Sequence, residues 1–235
     1  MAENILNLQA KPAGYYSCRR NNMLEFIPRH CRKALEVGCS EGLFGRALKV
    51  ERGSEVWGVE ISKAPALSAM KRLDRVIIGD FENDVLPLPR KYFDCAIFND
   101  VLEHFIDPWK ALRRVSGYLT DDGFIVSSIP NVRYYHVLKD YLFNKNWDYG
   151  DEGVLDKTHL RFFTVNTIRE MFQICGYRVV KIEGINGMDF PLPFRAINRI
   201  MMRKYEDTRF KQFACVAQKI NVRDEDVKSV NRNYI

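Results

Sequence analysis

KALEVGCSEGLFG, Lys33–Gly45, is the stretch on which the reading of this chain turns. A short apolar run ends at Glu36, and Gly38, Gly42 and Gly45 follow in quick succession. An apolar run without alternation suits a strand covered on both faces. Glycine just after it allows positive φ and lets a ligand touch the backbone. The residues after Gly42 place Leu43, Phe44, Ala47 and Leu48 at helical spacing, closed by Gly53. Lys33–Gly45 therefore reads as strand, tight turn and helix start, with unpaired N–H groups at the turn.

The same rhythm continues. EVWGVEI, RVIIGD, DCAIFND, GFIVSSIP, YRVVKIEG and FKQFACVAQKI read as six further strands. KAPALSAMKRL, PWKALRRVSGYL and VNTIREMFQICG read as helices, the last capped by Thr164. The expected fold is α/β, a Rossmann-like, doubly wound and mostly parallel seven-stranded sheet with helices on both faces. Ligands on such sheets bind at the carboxyl ends of the strands, at the switch point. Residues 1–22 read as an N-terminal arm, 23–220 as one domain and 221–235 as a polar tail. Within the domain, 130–163 is expected to carry a helix over Val132–Phe143, with Tyr135, Leu138 and Leu142 facing the core. Residues 185–209, with Pro191 and Pro193, read as an irregular insert.

Composition sets outer bounds. Of 235 residues, 46% are hydrophobic and 28% charged, enough for a sizeable core. No apolar run reaches membrane-span length, and the N-terminal stretch lacks the basic-then-apolar pattern of a secretory signal. Six scattered cysteines with no C-x-x-C pair read as reduced thiols, so a cytoplasmic location is expected. The net charge of +6 permits an anionic partner without identifying one.

A dinucleotide fingerprint, G-x-G-x-x-G, fails at Ser40 and Leu43. A different order, acid-x-Gly-x-small-x-Gly, is met by Glu36, Gly38, Ser40 and Gly42. It resembles motif I of the class I S-adenosylmethionine-dependent methyltransferases. Glu60 ends the second strand, GDFEN the third and FDCAIFNDVLEHFIDP spans the fourth; with LTDDGFIVSSIPN and the upstream YYSCRRNNMLEFIP they resemble the same family over roughly residues 15–183.

The resemblance implies S-adenosylmethionine as cofactor, a last strand running antiparallel, and no need of a metal, with Asp100, Glu103 and Asp107 the acids left open as ligands. It implies that Glu36 anchors the cofactor's ammonium group, with the backbone of Gly38, Cys39 and Gly42 close to the ligand. Glu60 would take the ribose hydroxyls, Phe81 would cover the adenine, Asp80 would take its amino group, and Ile61 would line the cofactor site. Asn99 and Asp100 would meet the methionine end, with Tyr16 and Arg20 closing over it. The other reading of Glu36 is an acid holding loop amides, and of Asp80 a turn cap. His104 and His159 are the candidate general bases, because histidine accepts a proton near neutral pH. Arg133, Tyr134 and Arg161 are the candidate acceptor contacts.

IPNVRYY and THLRFFT resemble small enzymes of surface-polysaccharide and sugar tailoring. This implies O-methylation of a sugar, nucleotide-sugar or glycan-linked group and a small-molecule or glycan acceptor. The insert 185–209, both apolar and basic, reads as a cover for the acceptor, a homodimer contact, a membrane-surface contact or a plain connecting segment. An RNA methyltransferase and a non-catalytic cofactor-binding scaffold are the alternatives. Against the first, no RNA-binding module is appended, and NDVLEH stands where a base-methylating NPPY-type motif would be.

Overall fold

The computed structural model describes residues 20–220; the arm and tail readings, Tyr16 included, fall outside them. After a 3-10 turn (Asn21–Phe26), the chain forms β1 (Lys33–Val37), α1 (Leu43–Arg52), β2 (Glu55–Glu60), α2 (Lys63–Ala69) and β3 (Arg75–Ile78). It continues through β4 (Phe93–Asn99), α3 (Pro108–Ser116), β5 (Leu119–Pro130), α4 (Tyr135–Lys139) and α5 (Val165–Ile174). It closes with β6 (Tyr177–Gly187), α6 (Leu192–Ile200) and β7 (Phe210–Lys219). The strands form one sheet in the order β3-β2-β1-β4-β5-β7-β6. Pairings from β3 through β5 are parallel, and β7 runs antiparallel between β5 and β6. The winding reverses between β1 and β4, which opens a crevice at their carboxyl ends.

Alternate residues of the central strands feed opposite faces, as strand geometry requires. Leu35, Ala96 and Phe98 pack with Leu112 and Val115 of α3 and Ile168 and Phe172 of α5. Ala34, Cys95 and Ile97 pack with Phe44 and Leu48 of α1 and with Met23, Leu24 and Phe26 of the 3-10 turn. In β1 only Lys33 escapes full burial, which is why the run carries no polar alternation. Asp107 caps α3 through the Lys110 amide, and Thr164 caps α5 in a reciprocal box with Thr167.

Two expectations are corrected. The helix expected over Val132–Phe143 is only α4 followed by a π-helical turn, Asp140–Asn144. None of their residues is buried, and Leu142 is 65% exposed. The insert 185–209 is not irregular. β6 extends to Gly187 and α6 follows, with Pro191 at its N-cap and Pro193 in its first turn. Proline breaks a helix interior but suits its first turn, where its missing N–H has no partner to lose. Among the described residues, no helix is long and apolar enough to cross a membrane.

Leu112 is fully buried between α3 and the sheet. Leu112→Ala is expected to lower stability by about 2–5 kcal/mol, read as a fall in the urea midpoint at unchanged m-value.

Candidate functional site

The turn after β1 takes left-handed backbone at alternate positions: Gly38 (φ 68°), Ser40 (φ 50°) and Gly42 (φ 73°). Two of the three are glycine. A Cβ on Gly38 would lie 2.5 Å from Val101 Cγ2, so the loop passes tightly beneath the segment after β4. Ser40 adopts αL at a cost of roughly 1–2 kcal/mol. Its amide donates to Glu60 Oε2 at 2.8 Å, and the Ser62 amide donates to Oε1 at 2.9 Å. Glu60 thus clips two loops at the ends of β1 and β2. Each carboxylate oxygen keeps a second lone pair for a ligand hydroxyl. Ile61, beside it, is 41% exposed.

Glu36 is 4% exposed and Oε2 has no hydrogen-bond partner. Burial pushes its carboxyl from 4.5 up to about 8, only partly offset by the Gly45 amide. Gly45 makes the site possible, since a Cβ there would sit 2.7 Å from Glu36 Oε2. At the end of β4, both side-chain polar atoms of Asn99 are buried without a partner. An unsatisfied buried polar group costs about 1–3 kcal/mol. Two such groups at neighbouring strand ends mark the crevice as built for a polar ligand.

Several candidate residues have other commitments. Arg20 ion-pairs with Asp100, and Asp100 Oδ1 also accepts from Ser128 (2.8 Å) and Gln212 (2.7 Å). Arg20 therefore ties the chain to β4 and β5 rather than standing open. Asp80 caps its own turn, accepting from the Glu82 amide at 2.7 Å and Asn83 Nδ2 at 2.8 Å. Phe81 is a core residue, 3% exposed and edge-on to Phe98 and Tyr118, so it does not lie over a ligand ring. The Cys39 side chain is buried, and a Cβ on Gly58 would lie 2.5 Å from its sulfur, which leaves only the Cys39 backbone for a ligand. Arg133 is a two-pronged clamp on Asp207, at 2.6 and 3.3 Å. Arg161 donates Nε and Nη2 to the Ile106 carbonyl, at 3.1 and 2.5 Å. Tyr134 is half-buried, with its ring 5.3 Å from that of His136. Folding has recruited both arginines as backbone and loop ties, a use that residue type does not reveal.

The two candidate bases do come together. The segment 156–161 docks on the piece after β4, with the Leu160 and Arg161 amides on the Glu103 carbonyl at 2.8 and 3.0 Å. His104 and His159 then meet edge to face, their centroids 4.7 Å apart. His104 Nδ1 lies 3.1 Å from the Thr158 carbonyl, and His159 Nδ1 lies 3.0 Å from that of Val154. A carbonyl only accepts, so each Nδ1 carries the proton and each Nε2 is the basic nitrogen. Between them sits Glu103, 1% exposed, with neither carboxylate oxygen hydrogen-bonded. Burial raises its carboxyl from 4.5 to about 8. Asp156 and Thr158 complete the group: Asp156 Oδ1 accepts from the Thr158 amide and hydroxyl, at 2.8 and 2.7 Å. Sequence reasoning passed over Asp156 and Thr158 and gave Glu103 little weight. The signal for Glu103 was an acid set between Leu102 and His104 in an otherwise apolar run. Above the histidines, Phe162 packs with Trp147 and Tyr149, and Tyr141 with Trp147, into a partly exposed aromatic wall.

Comparison with known proteins agrees with this architecture. Residues 11–182 match the methyltransferase-domain family. A protein of Methanocaldococcus jannaschii, itself uncharacterized, is 27% identical over 160 residues, covering 67% of this chain and 71% of that protein. A SAM-dependent methyltransferase from Archaeoglobus fulgidus superposes with a TM-score of 0.62 at 22% identity, over 84% of this chain and 91% of that one. The structure of a methyltransferase with the Haloferax volcanii Trm112 methyltransferase activator gives 0.62 at 18% identity, over 87% and 90%. At these identities the likeness is one of fold.

A carboxyl with a raised pKa opposes folding once the unfolded chain ionises. Its contribution is intact below about 4.5 and is lost as pH rises toward about 8. Glu36→Gln should therefore gain on the wild type between pH 5 and pH 8, by at most about 1.4 kcal/mol per pH unit. Paired urea titrations at the two pH values measure it.

Proposed function

The chain belongs to the methyltransferase-domain family and is an enzyme of that class; on that premise we propose that it transfers a methyl group from S-adenosylmethionine to a hydroxyl of a sugar, nucleotide-sugar or glycan-linked group. When bound, S-adenosylmethionine supplies a methyl on positively charged sulfur, which an acceptor lone pair takes as the carbon–sulfur bond breaks and its electron pair stays on sulfur. The observation that carries the reading is the pair of buried, unpartnered groups at the switch point, Glu36 Oε2 and the Asn99 amide. They suit an ammonium and a neighbouring polar group, and a glycine turn beside them leaves the backbone open to close approach. Glu36 would hold the ammonium, and Glu60 the ribose hydroxyls through its remaining lone pairs. Asn99 would meet the methionine end, and Ile61 would lie against the adenine. Asp80 would reach the adenine amino group only with the lone pairs its turn leaves over.

His104 or His159 accepts the hydroxyl proton at Nε2, and the carbonyls that hold each Nδ1–H fix the tautomer for this task. The wall of Tyr141, Trp147 and Phe162 supports an acceptor with a flat or ring-shaped face. Arg133 and Arg161 shape this region through their ties rather than by open charge. On α6, exposed Leu192, Ile197 and Ile200 support the reading of 185–209 as a self-association segment, a point for sedimentation velocity.

Calorimetry with S-adenosylmethionine and S-adenosylhomocysteine tests the cofactor reading. Micromolar binding is expected, weakened at least tenfold by Glu60→Ala, which removes both loop clips as well as the ribose contact. Absence of binding to either compound would sink the proposal. Radiolabelled methyl transfer to a panel of sugars and nucleotide sugars then tests the acceptor class. His104→Ala and His159→Ala are expected to lower kcat with little change in cofactor affinity.

A further inference from the structure

Glu103, His104 and His159 each offer one ligand atom, and these atoms all lie within 4.8 Å of one another. We infer that the three form a site for a divalent first-row transition ion, placed so that a hydroxyl of the methyl acceptor completes its coordination. The second half of that statement rests on the methyl-transfer reading; the ion site itself does not.

The donor set is two imidazoles and one carboxylate, which suits zinc, manganese or cobalt. Three protein ligands leave at least one position for an exogenous oxygen, the arrangement of a reactive metal rather than a structural one. The histidines carry the outer contacts that metal ligands need. Each donates Nδ1–H to a backbone carbonyl, of Thr158 for one and Val154 for the other, which leaves Nε2 as the nitrogen able to bind an ion. Asp156 in turn holds the Thr158 amide and hydroxyl, bracing the segment that orients His104. Glu103 is the independent witness. It is almost wholly buried, neither of its oxygens is hydrogen-bonded, and His159 Nε2 lies 3.9 Å from its Oε1. Once ionised, such a carboxylate needs a positive partner at short range. Arg20, the nearby cation, is ion-paired with Asp100. Ligand atoms on a common ion stand roughly 3–3.5 Å apart for bonds near 2.1 Å, so small side-chain rotations close the site. The backbone would not need to move, because the Leu160 and Arg161 amides already fix the histidine segment to Glu103.

With an ion in place, the Nε2 lone pairs are bound and the histidines cease to be bases. The ion polarises the coordinated hydroxyl and its proton leaves to solvent. The oxygen then forms the new carbon–oxygen bond as the carbon–sulfur bond breaks and its pair stays on sulfur. Lys, Arg or backbone groups are not required for the proton.

The test begins with the full chain stripped by EDTA and dialysed against Zn2+, Mn2+ or Co2+. One ion per chain is expected by elemental analysis. Glu103→Gln and His159→Ala should each weaken binding at least tenfold, and His136→Ala, at an exposed histidine on α4, should leave it unchanged. If the variants fold poorly, wild-type protein carries the question. Electron-spin-echo spectra of the Mn2+ form should show coupling to imidazole nitrogen, and their absence would refute the assignment. So would failure of all three ions to bind stoichiometrically, or binding indifferent to Glu103→Gln with His159→Ala. S-Adenosylhomocysteine binding, measured separately, keeps the two proposals apart. An ion bound without cofactor affinity upholds the site and defeats the methyl-transfer reading, and the reverse upholds that reading alone.

Discussion

The Glu60 carboxylate is the contact on which the ligand edge of this protein depends. The chain must leave β1 and enter α1 within five residues, and it does so by placing positive φ at positions 38, 40 and 42. Glycine meets that demand at two of them. At Ser40 a side chain sits where glycine would be easier, and the Glu60 bond to the Ser40 amide holds the conformation. The same carboxylate holds the Ser62 amide at the start of α2. One acid therefore sets the spacing between the first two βα turns at the ligand edge.

Around that crevice the molecule leaves polar groups unsatisfied that it could have replaced by apolar ones. Glu36 is pushed toward neutrality by burial, and Asn99 has no hydrogen-bond partner for either end of its amide. Such arrangements oppose folding, and they persist where a ligand restores the missing bonds. Glu103 repeats the pattern on the far side of β4, beside His104 of its own turn and against His159, which arrives from a segment more than fifty residues away in sequence. The candidate cofactor side and the candidate acceptor side thus share β4 as their common wall. Arg20 lies between them, with its charge felt at both Glu36 and Glu103 while its guanidinium stays on Asp100.

The strand-end part of the candidate site was legible because it is local. Each of its features lies at the end of a strand, and strand ends can be read from hydrophobic runs and glycine. The acceptor half was less so. Arg133 and Arg161 looked like open charges, yet Asp207 and the Ile106 carbonyl capture them, and neither partner is near in sequence. Phe81 looked like a ring cover, but it stands three residues past β3 and turns inward to join Phe98. The prolines of α6 looked like breakers because a helix start and an irregular loop use the same residue.

What the sequence by itself determined was the sheet, the glycine turn and the acids that line the strand ends, since these follow from burial on two faces and from the short reach of backbone hydrogen bonds. What only the tertiary structure decided was company. It brought His159 against His104 and Glu103, paired Arg20 with Asp100, and left Asn99 alone. Those outcomes depend on how segments far apart in the chain pack across one sheet edge, and no local pattern of residues encodes that distance.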